Sequence, residues 1–243
     1  MTPQKILFLG EFSGLMQNLA VGIRQLGHFS VVASNGDGFK NYPRDIDLSS
    51  SLPGVSGKIA HKLNFFRNIK SFTNFDAVVL VNPFQFYHPN LPYKQAFNYI
   101  LRNNKKLILM ACGTDSVFLK YGISHLSYNP FYNLTQNNHT VRFEHPYQKL
   151  TTKNALEYNL HIASISDKIL ATSYEYSVGY EKLNFETHYQ PLATNPNIQR
   201  EEYTKLSVCH GQSRRFFKGT DLIIQAFDIL KDRYPYIEFK TLK

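Results

Sequence analysis

The chain has 243 residues, of which 43% are apolar, and its 27 Lys and Arg residues outnumber 18 Asp and Glu residues to give a net charge of +9. This length accommodates one large domain or one and a half ordinary ones, with enough apolar residues for a sizeable core. No apolar run approaches the ~18 residues of a membrane span, and the N-terminus has no signal-peptide pattern.

The positive charge favours an anionic partner, such as a phosphorylated substrate, an anionic lipid surface or a polyanion. We do not expect nucleic acid, because the sequence has no zinc-ligand spacing, no aromatic RNA-binding motif and no basic helix with heptads. Cys112 and Cys209 each end an apolar run, which predicts two buried free thiols in a reducing compartment. We therefore expect a cytoplasmic protein.

The first elements in chain order are typical of a doubly wound α/β fold. Residues 5–10 form an apolar run that predicts a buried parallel strand, and apolar positions at helical spacing follow over residues 15–26. A second strand is predicted at residues 31–33. The spacing of Gly10 and Gly14 does not match the G-x-G-x-x-G fingerprint of dinucleotide-binding folds.

A loop is predicted at residues 35–54, and a basic segment without acidic residues then runs from Leu48 to Phe75. On a helical wheel Ile59, Leu63 and Phe66 share one face. The segment is interpreted as a core-facing helix whose lysines extend to water. The alternative is contact with an anionic membrane surface, which would place the protein peripherally at the inner face of the membrane.

Two further buried strands are predicted at residues 76–81 and 106–110, with a helix between them at residues 91–102. The second of these strands leads into Gly113, Thr114 and Asp115. Ligands bind outside the carboxyl ends of the strands in open α/β sheets, so this turn is a candidate site. Helix capping by Thr114 or Asp115 is the alternative. Downstream, Thr172 and Glu175 match a capping box for a helix that ends near residue 182.

A second strand–loop–helix–strand unit begins near residue 206. Its polar loop leads into a helix that Thr220 is expected to cap, and a strand follows at residues 236–242. Free N–H groups at a helix start bind phosphate, glycines allow close backbone approach, and cationic side chains add full charges. The candidate anion-binding residues are Gly211, Arg214, Arg215, Lys218 and Gly219. A solvated basic turn is the alternative.

The run His-Gly-Gln-Ser-Arg-Arg-Phe-Phe-Lys-Gly-Thr-Asp at residues 210–221 resembles the start of the second domain in group 1 GT-B glycosyltransferases of the bacterial polysaccharide type. In that family a Lys-Gly pair opens the helix, and the lysine with a nearby arginine holds the diphosphate of a nucleotide-sugar. Lys218 and Gly219 match the pair. The family's arginine falls at Ser213, beside Arg214 and Arg215, so the arginine assignment stays open between these two.

The resemblance extends more weakly over the whole chain. It implies a Rossmann-like GT-B N-terminal domain at residues 1–195 and the first strand–helix–strand of a second Rossmann-like domain at residues 196–243. It also implies that Ser13 and Gly14 in the first loop face the cleft, for which an ordinary turn is the alternative. Gly113, Thr114 and Asp115 would face the acceptor.

The implied function is transfer of a sugar from a nucleotide-diphosphate donor to a glycan or lipid-linked acceptor, with retention of configuration and with no metal or other cofactor. A non-catalytic anion-binding module, or half of a split transferase, is the alternative. The family's donor-site glutamate pair has no counterpart here, so the resemblance implies an incomplete second domain and little transfer by this chain alone. No catalytic side chain is assigned.

Overall fold

The structure, a computed structural model, describes residues 2–127, 129, 145–194, 206–211 and 218–242. The chain divides into two compact units. The first holds the described residues up to 194, and the second holds those from 206 onward. The predicted domain boundary at residue 195 therefore lies outside the described residues.

The first unit is built on a sheet of seven strands in the order β3-β2-β1-β4-β5-β6-β7. Every neighbouring pair is parallel. The order of the first six strands is that of Rossmann folds, in which the chain winds outward from the centre in both directions. The predicted doubly wound α/β fold is confirmed. The strands are β1 (Lys5–Leu9), β2 (Phe29–Ser34), β3 (Ile46–Asp47), β4 (Ala77–Val81), β5 (Leu107–Ala111), β6 (Lys168–Ala171) and β7 (Thr187–Tyr189).

Helices form most of the crossover connections that parallel pairing requires, while only a 3₁₀ turn at Gly38–Lys40 lies between β2 and β3. A π-helical turn at Phe118–Gly122 follows β5. The α-helices of the first unit are α1 (Leu15–Gln25), α2 (Gly54–Arg67), α3 (Tyr93–Arg102), the short α4 (His145–Gln148), α5 (Lys153–Ile165) and α6 (Tyr174–Glu181).

Both faces of the central strands are buried, which explains why they are continuous apolar runs rather than alternating ones. In β1, Leu7 and Leu9 pack into the larger core cluster, while Phe8 between them packs into a smaller cluster with Leu15 and Met16 of α1. The predicted strands at residues 5–10, 76–81 and 106–110 are confirmed. The short edge strand β3 was missed, because its two residues lie in a segment dominated by loop-forming residues.

The core-facing surface of α2 differs from the prediction. His61 and Phe65 are its buried residues, whereas Ile59 and Leu63 are exposed and Phe66 is partly buried. Phe65 stacks on Phe86 at a ring-centroid distance of 4.4 Å. The His61 Nδ1 atom lies 2.8 Å from the Leu48 carbonyl oxygen. The apolar pattern predicted that the face of Ile59, Leu63 and Phe66 packs in the core. The contacts of His61 and Phe65 place their face of the helix there instead.

The capping box predicted at Thr172 and Glu175 is also wrong. Helix α6 has Ser173 as its N-cap, without a side-chain hydrogen bond, so Thr172 and Glu175 form no capping box. Instead, the Thr172 N–H donates to the Ala111 carbonyl oxygen at the end of β5 at 3.2 Å, and the Thr172 hydroxyl lies 3.5 Å from the same oxygen. Between β5 and the π-helical turn, by contrast, the Asp115 carboxylate accepts the Phe118 N–H at 2.8 Å, as in the capping alternative.

The second unit consists of β8 (Ser207–Gly211), α7 (Thr220–Arg233) and β9 (Glu238–Leu242), with the two strands parallel. The predicted strand–helix–strand is confirmed. Phe227 of α7 packs on Phe239 of β9 at 5.1 Å. Both cysteines are free, but Cys112 is only partly buried and Cys209 is exposed. A two-stranded sheet such as that of Cys209 buries little of its surface. Among the described residues, no helix combines the length and apolar character needed to cross a membrane.

Candidate functional site

The strand order places a crevice at the carboxyl ends of β1 and β4, where the chain winds away in opposite directions. Gly10 directly follows β1 and has a φ of +89°, and a Cβ atom there would lie 2.6 Å from Cγ1 of Val81. Only glycine tolerates both this backbone conformation and this contact. The polar residues that follow β1, β2, β4 and β5 lie at this edge of the sheet and are the candidate ligand-binding residues of the first unit.

A carboxylate of the protein itself caps the N-terminus of α1. The buried Glu11 carboxylate accepts hydrogen bonds from Met16 N–H at 3.2 Å and from Gln17 N–H at 2.9 Å. Burial raises the pKa of Glu11, against the opposing effect of the N–H groups that stabilise its charged form. Since Glu11 satisfies these N–H groups, the start of α1 is not available for a phosphate.

Next to Glu11, Ser13 is held in a left-handed conformation by a small polar cluster. Its φ is +53°, and its N–H donates to Oδ2 of Asp37 at 2.8 Å. The Lys40 ammonium donates to Ser13 Oγ at 2.8 Å and to Asp37 Oδ2 at 2.6 Å. A non-glycine residue in this conformation stores strain, which is common at ligand sites. Ser13, Asp37 and Lys40 therefore form a polar edge beside the crevice.

Asp37 and Lys40 were missed because residues 35–54 were interpreted only as a loop. The available signal was the placement of this loop directly after a buried strand, where polar side chains gather at the carboxyl edge of the sheet. Gly14 lies in the same place. A Cβ atom on Gly14 would lie 2.8 Å from the Tyr42 ring, so the glycine permits the close approach of the loop after β2.

The turn after β5 is tied to the end of β4 by Asn82. The Asn82 side-chain amide donates to the carbonyl oxygens of Cys112 at 2.9 Å and Thr114 at 3.3 Å. Gly113 has a φ of +76°, and a Cβ atom there would lie 3.2 Å from the ring of Phe12. Gly113 and Thr114 are half-buried at this edge. The structure thus brings the loops after β1, β4 and β5 together.

Asp115 points into the protein. Its carboxylate accepts the Tyr180 hydroxyl at 2.6 Å, and the Asn159 amide donates to the same hydroxyl at 2.8 Å. Burial raises the pKa of Asp115 to about 6. Because both carboxylate oxygens bond to protein groups, Asp115 supports the turn rather than presenting a carboxylate to a ligand.

The second unit has its own candidate site where β8 ends and α7 begins. Gly219 is the N-cap of α7, with a φ of +59°. A Cβ atom on Gly211 would lie 3.7 Å from the ammonium of Lys218, so this lysine lies beside the end of β8. Lys218 is exposed. The structure therefore places Gly211, Lys218, Gly219 and the N-terminus of α7 together.

Thr220 supports this arrangement in a role different from the predicted cap. It is the first residue of α7, it is fully buried, and its hydroxyl lies 2.8 Å from Nε2 of His210 in β8. This hydrogen bond joins the strand to the start of the helix. Arg214 and Arg215 lie outside the described residues, so the choice between the two arginines stays a prediction. In the described part of the chain, no group of His, Cys, Asp or Glu side chains could hold a metal ion.

No protein-family model matches the sequence, and no curated protein matches it significantly. Among solved structures, it is similar to a protein of Listeria monocytogenes assigned as a UDP-N-acetylglucosamine 2-epimerase, with 10% identity and a TM-score of 0.53. It is also similar to the UDP-N-acetylglucosamine 2-epimerase of Rickettsia bellii, with 10% identity and a TM-score of 0.50.

The likeness is one of fold. It covers 100% of this chain in the first comparison and 99% in the second, but only 63% and 62% of the two neighbours. The chain therefore spans less than two thirds of their length. The Rossmann-like architecture expected from the resemblance is confirmed, while membership of the group 1 glycosyltransferases stays a prediction.

Proposed function

We propose that this protein is a nucleotide-sugar enzyme whose second unit binds the diphosphate of the substrate. The observation that carries the proposal is the placement of the Lys218 ammonium beside Gly211 at the start of α7. A helix N-terminus offers N–H groups and partial positive charge, and a lysine adds a full charge. Arg214 or Arg215 is proposed as the second cation. The net charge of +9 supports an anionic substrate.

The chemistry proposed for this site is stabilisation of a leaving diphosphate. When the bond between the anomeric carbon of the sugar and the diphosphate oxygen breaks, negative charge accumulates on that oxygen. Positive groups already in position stabilise this charge without reorganising. Lys218 and the start of α7 would supply this stabilisation with no metal. We assign no general base.

The polar edge of the first unit is proposed to bind the acceptor, which would be a glycan or a lipid-linked sugar. Ser13, Lys40 and Thr114 present hydroxyl and ammonium groups, which suit the many oxygens of a sugar. Gly14 and Gly113 allow the flanking loops to approach closely. Asp37 positions Lys40 and Ser13 through its carboxylate.

A second candidate reaction is epimerisation of a nucleotide-sugar. It is favoured by the names of the two structural neighbours, both of which are given as UDP-N-acetylglucosamine 2-epimerases. The two reactions differ in their need for an acceptor. Incubation with UDP-N-acetylglucosamine alone, followed by NMR of the products, separates them: a new sugar epimer without acceptor indicates epimerisation, and conversion only on addition of acceptor indicates transfer.

Calorimetric titration with UDP tests the diphosphate site. We expect Lys218→Ala to weaken UDP binding by ~1.5–3 kcal/mol, the range for a hydrogen bond to a charged group. Lys231→Ala is the matched control, because Lys231 lies in the last turn of the same helix and forms an exposed ion pair with Asp228 at 3.0 Å. Its loss should change binding by no more than a few tenths of a kcal/mol.

Arg214→Ala and Arg215→Ala identify the second cation, since only one of them should match the effect of Lys218→Ala. If all three variants bind UDP like the parent protein, the diphosphate site is not at this loop. If UDP binds through Lys218 but no nucleotide-sugar is converted, the result agrees both with a non-catalytic binding module and with the little transfer expected of an incomplete second domain.

A further inference from the structure

Helix α2 carries an exposed apolar ridge that the core does not use. Val55 is 73% exposed, Ile59 is 42% exposed and Leu63 is 38% exposed. Residues four apart lie above one another on a helix, so the three side chains form a continuous line. Leu52, two residues before the helix, is also exposed, at 54%. We call these four residues the α2 ridge.

The ridge is on a different face from the one that holds α2 to the protein. The buried residues His61 and Phe65 define the core face, and Phe65 lies between Phe86 and Phe97 at ring-centroid distances of 4.4 and 5.6 Å. At 100° per residue, the centre of the ridge lies about 140° around the helix from that face. Phe66 shares the face of the ridge but packs on Tyr93 at a ring-centroid distance of 5.1 Å, so the exposed line ends at Leu63.

Positive charges border the ridge on both sides. Lys58 and Lys62 lie on one border and Arg67 on the other, and no acidic residue occurs between Leu48 and Phe75. Burial, together with the smaller effect of the nearby charges of Lys149 and Lys58, lowers the pKa of Lys62 to about 8. Among the described carboxylates, none forms a salt bridge with these cations. The charge of this surface is therefore not neutralised within the described part of the chain.

An apolar line between positive borders matches the chemistry of an anionic lipid bilayer. The acyl region accepts the aliphatic side chains, and the anionic headgroups attract lysine and arginine. A second copy of the chain is a poorer match, because a symmetric contact would bring identical positive borders together without carboxylates. We propose that the α2 ridge and its basic borders form a docking surface for an anionic membrane. The proposal does not depend on the proposed function.

Vesicle sedimentation with the full chain tests this surface. The protein should bind vesicles of phosphatidylcholine mixed with phosphatidylglycerol, and not vesicles of phosphatidylcholine alone. Added salt should weaken binding, since it screens exposed charges. Ile59→Ser should lower the partition coefficient ~10-fold by removing apolar area, and Lys58→Ala should lower it ~5-fold by removing one surface cation.

Leu26→Ser is the matched control. Leu26 is 74% exposed just after α1, away from the ridge, and its loss should leave vesicle binding unchanged. Circular dichroism of each variant confirms folding. The proposal is overturned if the parent protein does not bind the anionic vesicles, or if Ile59→Ser binds them like the parent. It is also overturned if light scattering shows a dimer that Ile59→Ser dissociates, because the ridge would then contact a second copy.

Discussion

At the scale of single residues, the hydrogen bonds of Asp115 in the turn after β5 decide between two competing interpretations of the sequence. Asp115 lies where a ligand-binding carboxylate is expected, yet its oxygens accept Phe118 N–H and the Tyr180 hydroxyl inside the protein. The sequence contains no local signal for Tyr180, which is 65 positions away. The capping role could be predicted from the turn, whereas the buried hydrogen-bond partners could not.

Burial of Asp115 should make the protein less stable as the pH rises from about 4 to 6. The pKa of Asp115 is raised to about 6 in the folded protein, while an unfolded aspartate titrates near 4, at about 3.9. Between these values the folded state binds more protons than the unfolded state. Stability therefore falls through this window, by about 3 kcal/mol in all, and levels off above it.

Asp115→Asn removes this titration, so the difference in unfolding free energy between parent and variant should change across that pH range. Urea unfolding at a series of pH values measures both proteins. Parallel curves for parent and variant between pH 4 and 6 would show that Asp115 does not carry the effect.

At the scale of helices and strands, Glu11 determines what the first βα unit can bind. Its carboxylate bonds to Met16 N–H and Gln17 N–H. Glu11→Ala would leave these groups unsatisfied and should destabilise the protein by about 2 kcal/mol. Glu11→Gln keeps one acceptor oxygen and should cost about half as much. Equilibrium unfolding in urea measures both effects.

Glu157→Ala is the control for the Glu11 variants. Glu157 is exposed and lies 3.8 Å from Lys153 in an ion pair one turn apart, and such pairs contribute little to stability. A Glu11→Ala protein that unfolds at the same urea concentration as Glu157→Ala would contradict the role given to Glu11.

The elements that could be predicted are those with a strong apolar period and one buried environment. Strands β1, β4 and β5 are continuous apolar runs because both of their faces are covered. The same reasoning predicted the wrong core-facing surface for helix α2. Its apolar line at Val55, Ile59 and Leu63 faces outward, while a histidine and a phenylalanine anchor it. An apolar pattern shows which side chains share one face of a helix. Contacts with residues distant in sequence decide whether that face packs in the core.

At the scale of the whole molecule, alternation of strands and helices predicted a parallel sheet, because parallel neighbours need crossover connections. The strand order and the resulting crevice beside β1 and β4 were not predictable from alternation alone. The Asp37–Lys40–Ser13 cluster depends on that order, since β2 must lie beside β1 for its loop to reach Ser13. The approach of Lys218 to Gly211 likewise depends on how β8 meets α7.

A nucleoside diphosphate is proposed to bind where β8 ends and α7 begins. Backbone-amide NMR of the full chain during a UDP titration tests this binding most directly, because each amide reports its own surroundings. We expect the signals of Gly211, Gly219 and Thr220 to move in step with binding, and Lys218→Ala to shift that titration to higher UDP concentration. If saturating UDP moves none of these three signals, UDP does not bind at the start of α7.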